Sequence, residues 1–419
     1  MNFIEQQDKE VFNAIIGEEK RQAKGLELIP SENYVSCAVL QANSSVFTNK
    51  YSEGYPGRRY YGGQEFTDII ERLAIKRACK IFNCKFANVQ PLSGAPANMA
   101  VYVGLLQAGD TVLGMDLSHG GHLTHGHPMT FPAKVFNFVT YKMKNIETGE
   151  IDYDNLRDIA LREKPKIILA GFSAYSRELD YKKFVEIARE VGAITVADMA
   201  HIAGLIAGGV LRNPFYDGFD IITTTTHKTL RGPRGGMILV REHEDLAKKI
   251  NKAVFPGLQG GPHMNHIAGK AIAFGEALHP IFKEYAQQIL NNAKAMEEVF
   301  LGENIRLIGG GTSNHLLLAD VYGSVGTTGK EAQTVLDEVN ITLNMNSIAD
   351  DTRRPLDPSG IRFGTPAITT RGFKEQECKR VAELMIAVLR DKENKKLKDA
   401  VKNEIQTLAE KFPVPESFV

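Results

Sequence analysis

Between about residues 65 and 280 the chain alternates short apolar runs with stretches of helical period. The runs are Thr111-Val-Leu-Gly-Met115, Lys166-Ile-Ile-Leu-Ala-Gly171, Ala193-Ile-Thr-Val-Ala197, Asp220-Ile-Ile-Thr223 and Gly236-Met-Ile-Leu-Val240. Their apolar residues are consecutive rather than alternate, as in strands covered on both faces. Between them, residues 67–82, 97–106, 156–162 and 181–191 repeat apolar side chains at helical spacing. Strand and helix in turn predict an α/β fold with a mostly parallel sheet covered by helices, and a ligand beyond the carboxyl ends of the strands.

The flanks read differently. Residues 4–24 carry Val11, Phe12, Ile15 and Ile16 among charges, which predicts an amphipathic helical arm that could pack on a partner. A long helix over residues 262–301 leads out of the sheet region, with Pro280 absorbed as a kink or break. Strand-like Arg306-Leu-Ile and His315-Leu-Leu-Leu-Ala, then closing helices from Lys374, predict a smaller α/β domain. The expected division is an arm over 1–25, a large cofactor-binding domain over 26–280 and a small domain over 281–419.

Composition narrows the function classes. At 419 residues the chain can fill two or three domains, and 50 basic residues balance 50 acidic ones. No global field therefore favours nucleic acid or an anionic membrane, and neither is expected as a partner. The start lacks a basic segment followed by an apolar core, and no run has bilayer-crossing length, so a cytoplasmic location is expected. Cys37, Cys79, Cys84 and Cys378 are scattered and read as reduced, mostly structural thiols.

The chemistry concentrates in a few segments. In Ile221-Ile-Thr-Thr-Thr-Thr-His-Lys228-Thr-Leu-Arg-Gly-Pro-Arg-Gly-Gly236, a lysine stands where an apolar run meets a glycine- and arginine-rich loop. Burial beside Arg231 and Arg234 would disfavour its ammonium form, and only the free amine attacks an aldehyde. Asp198 ends the preceding run, His201 follows it, and the two strand ends could share one crevice. Lysine plus aspartate is the pair that pyridoxal phosphate requires, one as Schiff base and one as pyridinium partner. Ser93-Gly-Ala-Pro opens a helix pattern whose amides could hold a phosphate.

Other segments are less direct. His119, His122, His125 and His127 lie in one short loop, which raises a metal site. No cysteine or acid joins them, and Gly120-Gly121 suits a loop around something flat, so a histidine stacked on a ring fits better and no metal is expected. Residues 48–63 mix tyrosines, arginines and glycines without helix or strand period. Their one carboxylate, Glu53, is placed to act as acid and base. Arg362, in Ser359-Gly-Ile-Arg-Phe-Gly, offers a fork for a substrate carboxylate.

Four motifs together resemble the serine hydroxymethyltransferase family, a fold-type I pyridoxal-phosphate-dependent transferase. They are Tyr51-Ser-Glu-Gly-Tyr-Pro-Gly-Arg-Arg-Tyr-Tyr-Gly62, His119-Gly-Gly-His-Leu-Thr-His125, Thr223-Thr-Thr-Thr-His-Lys-Thr-Leu-Arg-Gly-Pro-Arg-Gly235 and Phe255-Pro-Gly-Leu-Gln-Gly-Gly-Pro262. The likeness runs from Leu28 to Phe373. It implies a mostly parallel seven-stranded sheet and reversible conversion of L-serine and tetrahydrofolate to glycine and 5,10-methylenetetrahydrofolate. It further implies that Lys228 forms the internal aldimine, Asp198 meets the pyridine nitrogen, His122 stacks on the ring, and His201 and Ser173 bond its substituents. Ser93, Gly94 and Ala95 would hold the phosphate, with Tyr51, Gly260 and Gly261 reaching it from a second copy of the chain. Arg362 would take the substrate carboxylate with Ser31 and Tyr61, and Glu53 of the neighbouring copy would shuttle protons. Leu117, Gly121, Leu123 and Asn346 match folate-lining positions.

The implied assembly is a homodimer with shared active sites, with a tetramer as the alternative. Three positions depart from the family pattern: Ala95 where a phosphate-contacting serine is common, Met345 where lysine is common, and Pro358 where Ser or Thr is usual. Two rivals stand beside this reading. One is an aldolase for β-hydroxy amino acids or an α-methylserine transferase on the same fold. The other is a scaffold or RNA-binding protein retaining a relic site.

Overall fold

The computed structural model describes residues 3–415, so the outermost residues of the expected arm and small domain, 1–2 and 416–419, lie outside it. A seven-stranded sheet runs in the order Phe86–Asn88, Gly236–Val240, Ile221–Thr225, Ile194–Asp198, Ile167–Gly171, Thr111–Met115, Asn137–Tyr141. Gly236–Val240 is antiparallel to both its neighbours, and the other pairings are parallel. The exception has a short-range cause. Residues 226–235 are too few for the crossover that a parallel return requires, so the chain turns straight back. That return loop carries Lys228.

Every residue of Ile167–Gly171, Ile221–Thr225 and Gly236–Val240 is buried, which accounts for the unbroken apolar runs of the first and third, while Ile221–Thr225 ends in three buried threonines. Asn137–Tyr141 has no such run, because as an edge strand it is only half covered; its mixed sequence left it out of the expected set. The helices Glu65–Phe82, Gly94–Leu105, Tyr153–Glu163 and Tyr181–Val191 lie close to the predicted spans. Tyr181–Val191 shows why: the Asp180 carboxylate accepts from Lys183 N–H at 3.3 Å, and Gly192 ends the helix at φ 70°.

Two expected helices are divided. The arm is Phe3–Gln7 and Lys9–Lys24, because Asp8 turns out of the helix and caps the second piece by accepting from Glu10 and Val11 N–H at 3.0 Å. No side chain of either piece is buried. The long helix leading out of the sheet region is Met264–Ala277 and Ile281–Gly302, parted at Pro280, which lacks the N–H that a continuous helix needs. Its second half joins two cores. Phe282 and Ile289 pack beneath the large sheet, while Met296 and Phe300 pack with a four-stranded antiparallel sheet in the order Arg306–Leu307, Leu316–Asp320, Gly360–Gly364, Asn344–Asn346. Leu26 and Leu28 belong to that second core, since Leu26–Glu27 pairs with Ile341–Thr342.

The aromatic segment after residue 48 is a small hairpin, Gly54–Tyr55 with Arg58–Arg59, rather than an irregular loop. A buried cation organises it. Arg59 bridges Asp68 at 2.9 Å and Glu71 at 2.5 Å, and donates to the carbonyls of Ser52 and Gly54. Its side chain is 3% exposed, so the charge is neutralised where water does not reach.

Candidate active site

A cavity of about 460 Å³ lies beyond the carboxyl ends of the parallel strands. Lys228, Asp198, His122, His201 and Arg362 line it, with Ser93, Gly94, Ala95, Ser173 and Ser31 around them. The strands bring them together: Asp198 closes its strand and pairs in register with Thr223 and Gly171. Gly171 is glycine for a packing reason, because a Cβ there would sit 2.5 Å from the Asp198 carbonyl oxygen.

Asp198 is held as an anion. Asn98 Nδ2 donates to its Oδ2 at 2.8 Å, His125 Nε2 meets the same oxygen at 3.1 Å, and Ala200 N–H donates to Oδ1 at 3.1 Å. Burial alone would favour the acid, but these donors hold the carboxyl well below the usual range. The rings on either side have fixed tautomers. His125 Nδ1 accepts from His122 N–H at 3.2 Å, so its proton sits on Nε2 and points at Asp198. His122 Nδ1 accepts from Thr124 N–H at 3.2 Å and contacts its Oγ1 at 2.8 Å, and burial lowers its pKa to about 4. The result is a neutral flat ring beside an anion.

Lys228 Nζ makes no hydrogen bond among the described residues. Burial lowers its pKa to about 7; Asp198 opposes the shift, and Arg362 and Arg234 add to it. One expectation is corrected: Arg231 supplies no charge to this amine. Its backbone is left-handed at φ 61°, and its guanidinium donates to the Tyr34 carbonyl at 2.9 Å and lies over the Tyr285 ring. Arg362, on Gly360–Gly364, donates to the carbonyl of Ser173 at 2.6 Å, to its hydroxyl at 3.1 Å and to Asn344 Oδ1 at 3.1 Å. Burial lowers its pKa to about 10, and no carboxylate pairs with it among the described residues.

Of the four loop histidines, His122 and His125 stay together and are joined by the carboxylate of Asp198, while the other two turn away. His119 Nδ1 accepts from Met143 N–H at 3.3 Å, and His127 Nδ1 accepts from Met129 N–H at 3.3 Å. His122, His125 and Asp198 bring potential metal-ligand atoms within 4.8 Å of one another, yet the hydrogen bonds above already use His122 Nδ1 and the His125–Asp198 pair. Sequence reasoning missed Asn98 and His125 as partners of Asp198, and His315, whose Nε2 lies 3.3 Å from His201 Nδ1. No local pattern marks them; each meets its partner across the fold.

Another predicted group is apart from the cavity. Tyr51, Glu53, Gly260 and Gly261 cluster with one another: a Cβ on Gly260 would lie 3.3 Å from Glu53 Oε1, and one on Gly261 would lie 3.3 Å from the Tyr51 ring. Tyr61 stands edge-on to Tyr51 at 5.2 Å between centroids. None of the five lines the Lys228 cavity. Tyr51, Tyr60, Tyr61 and Phe66 are all more than half exposed there. Leu117 and Leu123 are exposed on the short turns flanking His122, where a Cβ on Gly121 would strike the Met115 carbonyl. Asn346 and Met345 lie on the edge strand paired with the strand of Arg362.

Comparison with known proteins agrees with this arrangement. The serine hydroxymethyltransferase family model matches residues 4–385, a span that holds every residue of the cavity. The chain is 54% identical over 413 residues to the serine hydroxymethyltransferase of Francisella philomiragia subsp. philomiragia, covering 99% of this chain and 98% of that one. It is likewise 54% identical, with the same coverage, to the serine hydroxymethyltransferase of Francisella tularensis subsp. novicida. On the length of these matches, and with a cavity that joins an amine, a carboxylate, a neutral histidine and an arginine, the chain belongs to the serine hydroxymethyltransferase family.

Proposed function

We propose that the chain is a pyridoxal-phosphate-dependent transferase that passes the hydroxymethyl carbon of L-serine to tetrahydrofolate, leaving glycine, in a reversible reaction that feeds one-carbon metabolism and glycine synthesis. The observation that carries this reading is the pairing, in one cavity, of a buried lysine amine free of hydrogen bonds among the described residues with a half-buried arginine lacking a carboxylate partner. A half-buried cation of this kind is stabilised by an anionic ligand, and an α-amino acid brings a carboxylate together with an amine.

The residues also fit the cofactor. The helix Gly94–Leu105 starts beneath the cavity, and Ser93 makes no side-chain cap to it, so its hydroxyl and the first amides suit a phosphate. Gly236 permits this close approach, since a Cβ there would lie 2.2 Å from the Ser93 carbonyl oxygen. Pyridoxal phosphate, when bound, supplies an aldehyde for amines to condense with and a protonated ring that withdraws electrons. Asp198, kept anionic by three donors, would hold a proton on that ring nitrogen. His122 would stack on the ring, and His201 and Ser173 would bond its substituents. Lys228 takes up or yields a proton near neutral pH, as exchange between its amine and that of serine requires. Arg362, with Ser31, orients the serine carboxylate.

Glu53 is assigned the protons of the serine hydroxyl and the folate, working in the cavity of a second copy. The separation of Tyr51, Glu53, Tyr61, Gly260 and Gly261 from their own chain's cavity supports a homodimer, as do the exposed aromatics around them. The folate sits against Leu117, Gly121, Leu123 and Asn346. No helix among the described residues is long and apolar enough to cross a membrane, and the four cysteines are free thiols, as suits work in the cytoplasm. A spectrum of the purified protein tests the whole reading. Glycine and tetrahydrofolate together should raise a long-wavelength band that neither raises strongly alone. Serine cleavage at full rate without tetrahydrofolate would make the chain an aldolase instead.

A further inference from the structure

Lys270 is a buried amine that the reaction as described does not use. It stands on the helix Met264–Ala277, 2% exposed, and its Nζ donates to the carbonyls of Val89 at 2.6 Å, Gly236 at 2.8 Å and Pro91 at 3.1 Å. Three acceptors match the three N–H groups of an ammonium. Burial lowers its pKa to about 7, but a neutral amine would turn its lone pair on one of these carbonyls, so the arrangement is built for the charged form. Glu71 acts on it through space and is itself paired with Arg59. A methionine would fill much the same space without desolvating a charge, so packing alone does not account for the lysine.

What the amine ties together does. The strand Phe86–Asn88 ends short of Val89, and Val89-Gln-Pro-Leu92 then leads outside the ladder to Ser93 and the helix Gly94–Leu105. Side chains hold that segment. Lys270 takes the carbonyls of Val89 and Pro91, while Gln259 donates to the Gln90 carbonyl at 3.1 Å and accepts from Leu92 N–H at 3.1 Å. On its other side Lys270 reaches the end of the return loop, where it bonds the Gly236 carbonyl and where a Cβ on Gly235 would lie 2.3 Å from its Cε. Gly236 N–H closes the triangle by donating to the Pro91 carbonyl at 2.9 Å. One amine thus joins the segment that enters the Ser93 turn to the loop that carries Lys228.

We propose that Lys270 is a positioning residue that sets the turn of Ser93, Gly94 and Ala95 relative to Lys228, so that one ligand carrying both an aldehyde and a phosphate meets both at once. Its effect falls on the phosphate end, because Val89 and Pro91 lie on the segment that enters that turn. The inference rests on the phosphate lying at Ser93, Gly94 and Ala95, as proposed above.

The test titrates the full-length, cofactor-free chain with pyridoxal phosphate and, separately, with pyridoxal, which has the same aldehyde and ring but no phosphate. Absorbance reads both. Lys270→Met, which keeps the length of the side chain but no donor, should bind pyridoxal phosphate roughly tenfold more weakly, the scale of one or two hydrogen bonds lost around the turn. Its affinity for pyridoxal should change less than about twofold, well under the effect of one hydrogen bond. A variant that is only destabilised would lose both ligands alike; that outcome overturns the proposal, as does unchanged affinity for both. Should Lys270→Met fail to fold, Lys270→Gln, whose amide still donates to part of the carbonyl set, is titrated in the same way. It should show a smaller loss confined to pyridoxal phosphate, and equal losses or none overturn the proposal. Wild type that binds both compounds equally well would overturn the placing of the phosphate itself, a failure seen without any variant and so distinct from failure of the role of Lys270.

Discussion

His125 Nε2 donates to Asp198 Oδ2 at 3.1 Å while its Nδ1 accepts from His122 N–H, so one neutral ring both steadies the anion and ties it to the turn that presents His122. Position and charge in the cavity are thus set by the same side chain. The ring is 2% exposed, and water cannot replace it.

Replacing His125 by Phe keeps the packing but removes a donor to a buried carboxylate. The chain should lose about 2 kcal/mol, the scale of a hydrogen bond to a charged group. Urea unfolding of the cofactor-free protein measures this. Asn98 still donates at 2.8 Å, so the variant should fold. A change under about 0.5 kcal/mol, the scale of a neutral surface substitution, would show the contact to be idle.

Stability of the cofactor-free chain should depend on Lys228 in one pH window. Its pKa is about 7 folded, against about 10.5 for the free amine. Between these values the unfolded chain binds a proton that the folded chain does not, so stability rises as pH climbs through the window. Lys228→Met lacks this gain. The variant should therefore be the more stable near pH 7, and its advantage should shrink toward pH 10.5. Urea midpoints collected across the range check the slope, and a constant difference would contradict the depressed pKa.

If Glu53 serves the cavity of another copy, two inactive chains can rescue each other. Lys228→Met and Glu53→Gln homodimers should each be poorly active with folate. Refolded together in equal amounts they should recover about a quarter of wild-type turnover, because half the dimers are mixed and each has one complete site. No recovery would place Glu53 in the cavity of its own chain. Glu53→Gln alone should still bind the cofactor.

Ala95 lines the cavity along with Ser93 and His122, without a hydroxyl to offer a phosphate. Ala95→Ser should add one hydrogen bond, worth about 1 kcal/mol, and tighten cofactor binding about fivefold. Equilibrium titration of the cofactor-free protein by absorbance reads this directly. Unchanged affinity would mean that the site already satisfies the phosphate.

Much of the fold was legible because burial on both faces writes itself into consecutive apolar residues. Ile167–Gly171 and Gly236–Val240 could be read for that reason, and the half-covered edge strand Asn137–Tyr141 could not. Pro280 marked a break or kink, but the break at Asp8 was masked by the apolar residues that continue on either side of it. Lys228 and Asp198 stood out as charged residues at the ends of apolar runs.

By itself, then, the sequence determined the fully buried strands, their supporting helices and the placing of Lys228 and Asp198 at strand ends, since these follow from residue type and near-neighbour spacing. Only the tertiary structure decided which histidine serves which partner: His125 reaches Asp198, His315 reaches His201, and His119 and His127 turn to backbone. It also decided that Arg362 rather than Arg231 faces the amine, and that the Glu53 hairpin stands away from its own chain's cavity. Hydrogen-bond partners depend on which strand ends lie side by side, and that juxtaposition is set by the packed sheet rather than by spacing along the chain.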